Sequence, residues 1–293
     1  MLSGILASLK QRAAGTSPAN SSVPEPDRLP TRVLACVRSD ASRKRIEDEM
    51  SEHLENLSVV QKENAKCVQR SDVVLLACKP FYVKDVLQEE GMLEALEGKL
   101  VISILAGVPT SQLSEVLYEG KDVSKGHKRC TFVRVMPNTN AVIRESMTII
   151  EQTPALGEPE SKLLTWMFSQ CGQVTYLPAA NLDAATALCG SGPAFVALMI
   201  ESLMHGGLSC GIPRLELQKM VSQTMIGMAV RARDGDKHIS VMKDEVCTPG
   251  GCTIYGLDVM EKAGLKGTII ESVREATIRA SELGSVGAAP RRT

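Results

Sequence analysis

Between Val33 and Leu177 short apolar runs alternate with longer stretches whose apolar residues recur at helical spacing. Val33–Val37, Val73–Ala77, Val101–Leu105, Phe132–Met136, Met147–Ile150 and Gln173–Leu177 have strand length, and several are apolar without interruption. Helical patterns fall between them, over Ser42–Leu54, from about Phe81, from Ser111 and near Glu160. Continuously apolar strands followed by amphipathic helices predict a largely parallel sheet covered on both faces, an α/β nucleotide-binding type of domain.

Past Pro178 the strand pattern stops. Leu182–Leu188, Pro193–Cys210 and Pro213–Arg233 read as helices, the second with Ser191 placed to cap it, Pro193 in its first turn and Gly211 after its end. Phe195, Val196, Leu198, Met199, Ile200, Leu203, Met204 and Leu208 leave that helix few polar positions. Such a helix must be buried, and in a small helical domain we expect a subunit interface to bury it. The expected division is therefore 1–178, a Rossmann-like domain with a Ser/Pro-rich surface loop at 13–31, and 179–293, an all-helical domain.

The 293 residues give ample core for two domains, and a net charge of −1 leaves no electrostatic footprint for nucleic acid or an anionic membrane. A small molecule is the expected partner. Nine cysteines, an odd number without a Cys-x-x-Cys pair, and four isolated histidines argue against a disulfide framework or a metal site. They suggest a reducing compartment, for which we expect the cytoplasm. No apolar run is expected to span a bilayer. Leu2, Ile5, Leu6 and Leu9 form an amphipathic stripe followed by Lys10 and Arg12, which reads either as a mitochondrial-type transit peptide or as a helix inside the fold; we expect the helix.

Candidate chemistry concentrates at Lys243–Leu257. Pro249, Gly250 and Gly251 break any regular element, and from Thr253 the residues Ile254, Leu257, Val259 and Met260 approximate a helical period. A turn opening into a helix offers the N–H groups of Gly251, Cys252 and Thr253, with the helix dipole behind them, to a small carboxylate. The Thr253 hydroxyl is left for the group beside that carboxylate. Cys252 at the same helix start could instead be a thiolate nucleophile, but no histidine in the motif would pair with it. In the sheet domain, Arg38 and Ser39 follow a strand, where Arg plus a small hydroxyl suits the 2′-phosphate of NADP better than the ribose of NAD.

The run Lys243–Leu257, with Glu261 behind it, resembles the signature of pyrroline-5-carboxylate reductases, which make proline by reducing a cyclic imine with a nicotinamide cofactor. Other stretches match in register: Asn64, the turn Ala77, Cys78, Lys79 and Pro80, the run Ser103–Gly107, Met136–Thr139, and Gly190–Pro193 at the start of the family's helical dimerisation domain. The resemblance covers about Val33 to Gly284. It implies a Rossmann-type sheet followed by a dimerisation domain, a homodimer that can assemble further, and NADPH as cofactor, with NADH possible. It places Arg38, Ser39, Asn64, Ala77, Cys78, Lys79, Pro80, Ile104, Leu105, Ala106 and Asn138 against the dinucleotide. Glu245, Thr248, Gly251, Cys252 and Thr253 fall at the substrate, with Thr253 catalytic. Alternatives are a related imine, such as a methylated pyrroline carboxylate, or a dimerising homologue without catalysis. The chain departs from the family at Cys78, where a valine is usual, at Glu245, where many members have asparagine, and at Ala179, where some have an acid. It also contains no Gly-x-Gly-x-x-Gly, its only Gly-x-Gly being Gly190 and Gly192. We therefore expect Met1 to lie inside the family's first helix, the first strand and its glycine loop to be absent, and NADPH to bind weakly unless upstream residues supply them.

Overall fold

The computed structural model describes residues 2–13, 23–121 and 128–283. It divides into two compact units, one of residues up to Gly190 together with the chain's end from Thr277, the other of Ser191–Ala276. Of the surface loop expected at 13–31, residues 14–22 lie outside the described residues.

The first unit carries seven strands: β1 (Val33–Val37), β2 (Leu57–Gln61), β3 (Val73–Leu76), β4 (Leu100–Ser103), β5 (Thr131–Met136), β6 (Ser146–Gln152) and β7 (Gly172–Pro178). Its helices are α1 (Leu2–Ala13), α2 (Asp40–Glu49), α3 (Asn64–Gln69), α4 (Val83–Leu87), α5 (Met92–Ala95), α6 (Thr110–Tyr118), α7 (Glu158–Ser169) and α8 (Leu182–Ala185). The sequence pattern gave no sign of β2, whose Leu57-Ser58-Val59-Val60-Gln61 mixes polar and apolar positions, yet it pairs in parallel with all of β1. Pairing is parallel throughout except between β5 and β6, which run antiparallel.

The strands form two sheets, β1-β2 and β3-β4-β5-β6-β7. The break falls between β1 and β3, the two strands that the resemblance places on either side of its first strand. All five residues of β1 are only half-buried, although their composition suits a sheet interior. In the larger sheet, alternate residues face opposite layers. Val101 and Phe132 pack with Leu87, Leu96, Leu113 and Leu117 from α4, α5 and α6, while Ile102, Val133 and Val135 pack with Leu164 and Phe168 of α7. Helix α1 packs into two smaller clusters beside this core. Leu6 is buried against Leu57 and Val59, Ile5 against Ala141 and Cys171, and a Cβ on Gly4 would stand 2.9 Å from the Gln170 carbonyl oxygen. The amphipathic start is therefore a packed helix of the fold.

The second unit is helical: α9 (Gly192–Ser209), α10 (Arg214–Asp234), α11 (Ile239–Asp244), α12 (Cys252–Lys262) and most of α13 (Leu265–Leu283). The cap expected at Ser191 does not form. Ser191 has helical dihedrals (φ −87°, ψ −24°) and makes no capping bond, because a π-helical segment, Thr186–Ser191, joins α8 to α9 without a break. By length and composition alone the resulting run Ala179–Ser209 would meet the requirements of a membrane span, against the expectation from the sequence, which read Leu182–Leu188 and Pro193–Cys210 as separate helices. No residue of α9 is buried.

Candidate functional site

Helix α11 ends at Asp244, and the chain turns through Glu245–Gly251 before α12 begins at Cys252. Gly250 has φ +70°, a left-handed conformation that a side chain would strain. A Cβ on Gly251 would fall inside the contact distance of the Thr248 hydroxyl, so the second glycine is required by close approach. The turn is closed by the Gly251 N–H, which donates to the Thr248 carbonyl at 2.9 Å. The three-donor expectation is corrected accordingly: Gly251 shapes the turn, and the Cys252 and Thr253 N–H groups, in the first turn of an 11-residue helix, remain for an anion. The Thr253 side chain is half-buried and makes no hydrogen bond to a described residue, so its hydroxyl is available.

Glu245 has a different employment from the one expected. Its carboxylate accepts a hydrogen bond from Arg231 at 3.0 Å and a closer one from Lys237. The Lys237 bond, with Arg231 adding to it, holds the Glu245 carboxyl below the usual carboxylate range. With both cations on it, Glu245 ties the end of α10 to the turn.

In the first unit the expected cofactor residues sit where strands end. Arg38 follows β1 and is exposed; its carbonyl accepts from Gln61 Nε2 at 3.1 Å, and its guanidinium lies 4.5 Å from the centroid of the Tyr82 ring. Ser39 caps α2, its oxygen accepting from the Ser42 N–H. Ala77, Cys78 and Lys79 follow β3; Ala77 and Lys79 are exposed, burial pushes the Cys78 thiol up, and Pro80 opens a 3₁₀ turn through Tyr82. After β4 the Ile104 N–H bonds to the Leu76 carbonyl at 3.1 Å, the Leu105 N–H donates to the Ser103 hydroxyl at 3.4 Å, and the Leu105 side chain is buried in the core.

Two expected cofactor residues carry hydrogen bonds within the protein. Asn64 opens α3, and its Nδ2 donates to Glu89 at 2.7 Å while the Ala65 N–H donates to the other Glu89 oxygen. Asn138 accepts from the Asn140 N–H at 3.0 Å and donates to the Cys189 carbonyl at 3.1 Å. Cys189 lies four residues before Pro193, so its carbonyl is the one whose helical donor the proline removes. Asn138 supplies that donor.

Sequence reasoning missed Tyr82 and the buried Arg134. The aromatic pair Phe81-Tyr82 read only as the start of a helix. Arg134, in the middle of an apolar strand, pairs with Asp183 of α8 at 2.8 Å. A charged residue at an inward strand position was the available signal for it.

Comparisons with known proteins bear on both units. Residues 179–283 match the family described as pyrroline-5-carboxylate reductase dimerisation, and residues 12–107 match that described as NADP oxidoreductase, coenzyme F420-dependent. The chain is 47% identical to the pyrroline-5-carboxylate reductase of Lophium arboricola over 287 residues, covering 97% of this chain and 89% of that protein. It is 41% identical to that of Neurospora crassa, covering 98% and 90%. Among solved structures, the Plasmodium falciparum pyrroline carboxylate reductase with NADP bound superposes with a TM-score of 0.73 at 26% identity, covering 88% of this chain and all of that one.

Proposed function

This chain belongs to the pyrroline-5-carboxylate reductase family, and we propose that it holds its substrate at the Cys252–Thr253 end of α12 and the adenosine end of its cofactor at Arg38. It is an oxidoreductase that reduces L-1-pyrroline-5-carboxylate to L-proline with NADPH.

The reaction needs the carboxylate fixed, the ring nitrogen hydrogen-bonded or protonated, and C5 held at near-attack distance from the hydride donor. Bound NADPH supplies the hydride. The Cys252 and Thr253 N–H groups match the first need, because they are unpaired donors at the positive end of a helix. The Thr253 hydroxyl matches the second, since it has no partner of its own to give up. No histidine stands in the turn, and Lys243 is paired with Asp244 at 3.5 Å, so the proton that completes the amine comes from solvent or substrate. Positioning does most of the work in such a site.

The observation that carries this reading is the Thr248–Thr253 turn, shaped by Gly250 and Gly251, with the Cys252 and Thr253 N–H groups and the Thr253 hydroxyl free beside it. Arg38 fits a 2′-phosphate because its guanidinium forms no ion pair with a described residue and leaves its N–H edges free. The fit concerns the adenosine end alone, since the sequence contains no Gly-x-Gly-x-x-Gly of the kind that cradles a pyrophosphate.

The chain carries the family's dimerisation domain, and the unburied apolar surface of α9 supports a homodimer as the working unit. An odd cysteine count supports a cytoplasmic setting. The test is the oxidation of NADPH followed at its absorbance band with L-1-pyrroline-5-carboxylate, beside NADH and beside six-membered imine carboxylates. Preference for NADPH and for the five-membered ring is expected. A faster reaction with the six-membered ring would assign another substrate.

A further inference from the structure

Resting on the reading of Arg38 as the 2′-phosphate ligand, we propose that Tyr82 is a positioning residue that sets the preference for NADPH over NADH by holding the Arg38 guanidinium on its ring. The two residues come from different sheets. Arg38 follows β1 of the two-stranded sheet, and Tyr82 ends the 3₁₀ turn after β3 of the five-stranded one.

An exposed arginine on a flexible stem samples many rotamers, and each must be given up when a phosphate is bound. Here the guanidinium lies 4.5 Å from the Tyr82 centroid, within cation–π range. A guanidinium that meets the ring through its face keeps its in-plane N–H groups for a dianionic phosphate, which takes them in bidentate fashion. No carboxylate among the described residues pairs with Arg38, so the fork is not consumed within the protein.

Tyr82 is itself fixed. Its N–H donates to the Lys79 carbonyl at 2.9 Å, its ring lies 4.3 Å from that of Phe81 at 54°, and the next residue, Val83, is buried in the core. A ring so anchored can order the arginine, whereas the reverse dependence is weak. Because NADH has no phosphate at this position, the ordering is worth nothing to it, and the effect must appear as selectivity.

The experiment is calorimetry on the full chain with 2′,5′-ADP, which carries the 2′-phosphate, and with 5′-AMP, which does not. Tyr82→Leu should weaken 2′,5′-ADP by about 3- to 5-fold, as an exposed cation–π contact would, and leave 5′-AMP unchanged. Tyr82→Phe should restore the wild-type value. In an Arg38→Ala background Tyr82→Leu should change nothing further. The ratio of KM values for NADPH and NADH should move in step and provides a second readout. If Arg38→Ala weakens 2′,5′-ADP but Tyr82→Leu does not, the inference fails while the reading of Arg38 stands. Equal loss of both nucleotides in Tyr82→Leu also overturns it, since the ring would then serve the adenine. If Arg38→Ala spares 2′,5′-ADP, the reading of Arg38 fails, and the inference with it.

Discussion

Gly251 illustrates how little at the substrate turn is done by side chains. Its own N–H closes the turn on Thr248, and the absence of a Cβ lets the Thr248 hydroxyl lie against it. Gly251→Ala should therefore displace the Cys252 and Thr253 N–H groups and lower kcat/KM by roughly 10- to 100-fold, the scale of a displacement near 1 Å at a reacting centre. Steady-state kinetics checks this, and unchanged kcat/KM would show that the turn absorbs the methyl group. Residues of this kind were legible in the sequence, because glycine pairs and a following helical period are local signals. The roles of Glu245, Asn64 and Asn138 were not, since each depends on a partner distant in sequence: Arg231 and Lys237, Glu89, and Cys189.

At the scale of elements, the helical run through Leu182–Ser209 is tied at its π-helical segment by one side chain from outside it. Pro193 leaves the Cys189 carbonyl without its helical donor, the π-helical segment accommodates the ring, and Asn138 Nδ2 takes the carbonyl. Asn138→Ala should cost about 1 kcal/mol of stability, a neutral hydrogen bond at a half-buried carbonyl, measured by urea unfolding. A large loss of NADPH affinity with unchanged stability would instead return Asn138 to the cofactor. The loop between α10 and α12 has its own tie in Glu245. Its carboxyl is held low by Lys237 and Arg231, so it stabilises the fold above the ordinary carboxylate range, and that contribution is lost as pH falls through the lowered value. Glu245→Gln should lack this part of the acid-side loss in a pH series of unfolding curves, and salt should reduce the difference, because the group is solvated. Strand and helix alternation was readable wherever strands were continuously apolar. Strand β2 escaped because Ser58 and Gln61 interrupt its pattern, and pairing with β1 rather than local propensity makes it a strand.

For the whole molecule, α9 bears the heaviest apolar load of any helix among the described residues and buries none of its residues fully, Phe195, Met199, Ile200 and Met204 being half-buried. Leu198 is 62% exposed. Leu198→Glu should convert a dimer to a monomer in analytical ultracentrifugation, with loss of activity; an unaltered dimer would place the subunit contact elsewhere. The division into a sheet unit and a helical unit could be anticipated from the change of pattern near Pro178. The break between β1 and β3 could be anticipated only through the missing glycine motif, since nothing in the apolar runs themselves records which strands are neighbours.

If the Cys252–Thr253 turn presents two N–H groups and one hydroxyl to the imine, Thr253→Ala, which removes the hydroxyl and keeps the backbone donors, must slow the reaction. The measurement is kcat/KM for L-1-pyrroline-5-carboxylate at saturating NADPH, with NADPH affinity determined alongside. The predicted result is a fall in kcat/KM of roughly 10- to 100-fold, the loss of one transition-state hydrogen bond, with NADPH affinity unchanged. Full activity in the alanine variant, or a loss that follows cofactor affinity alone, would contradict the account.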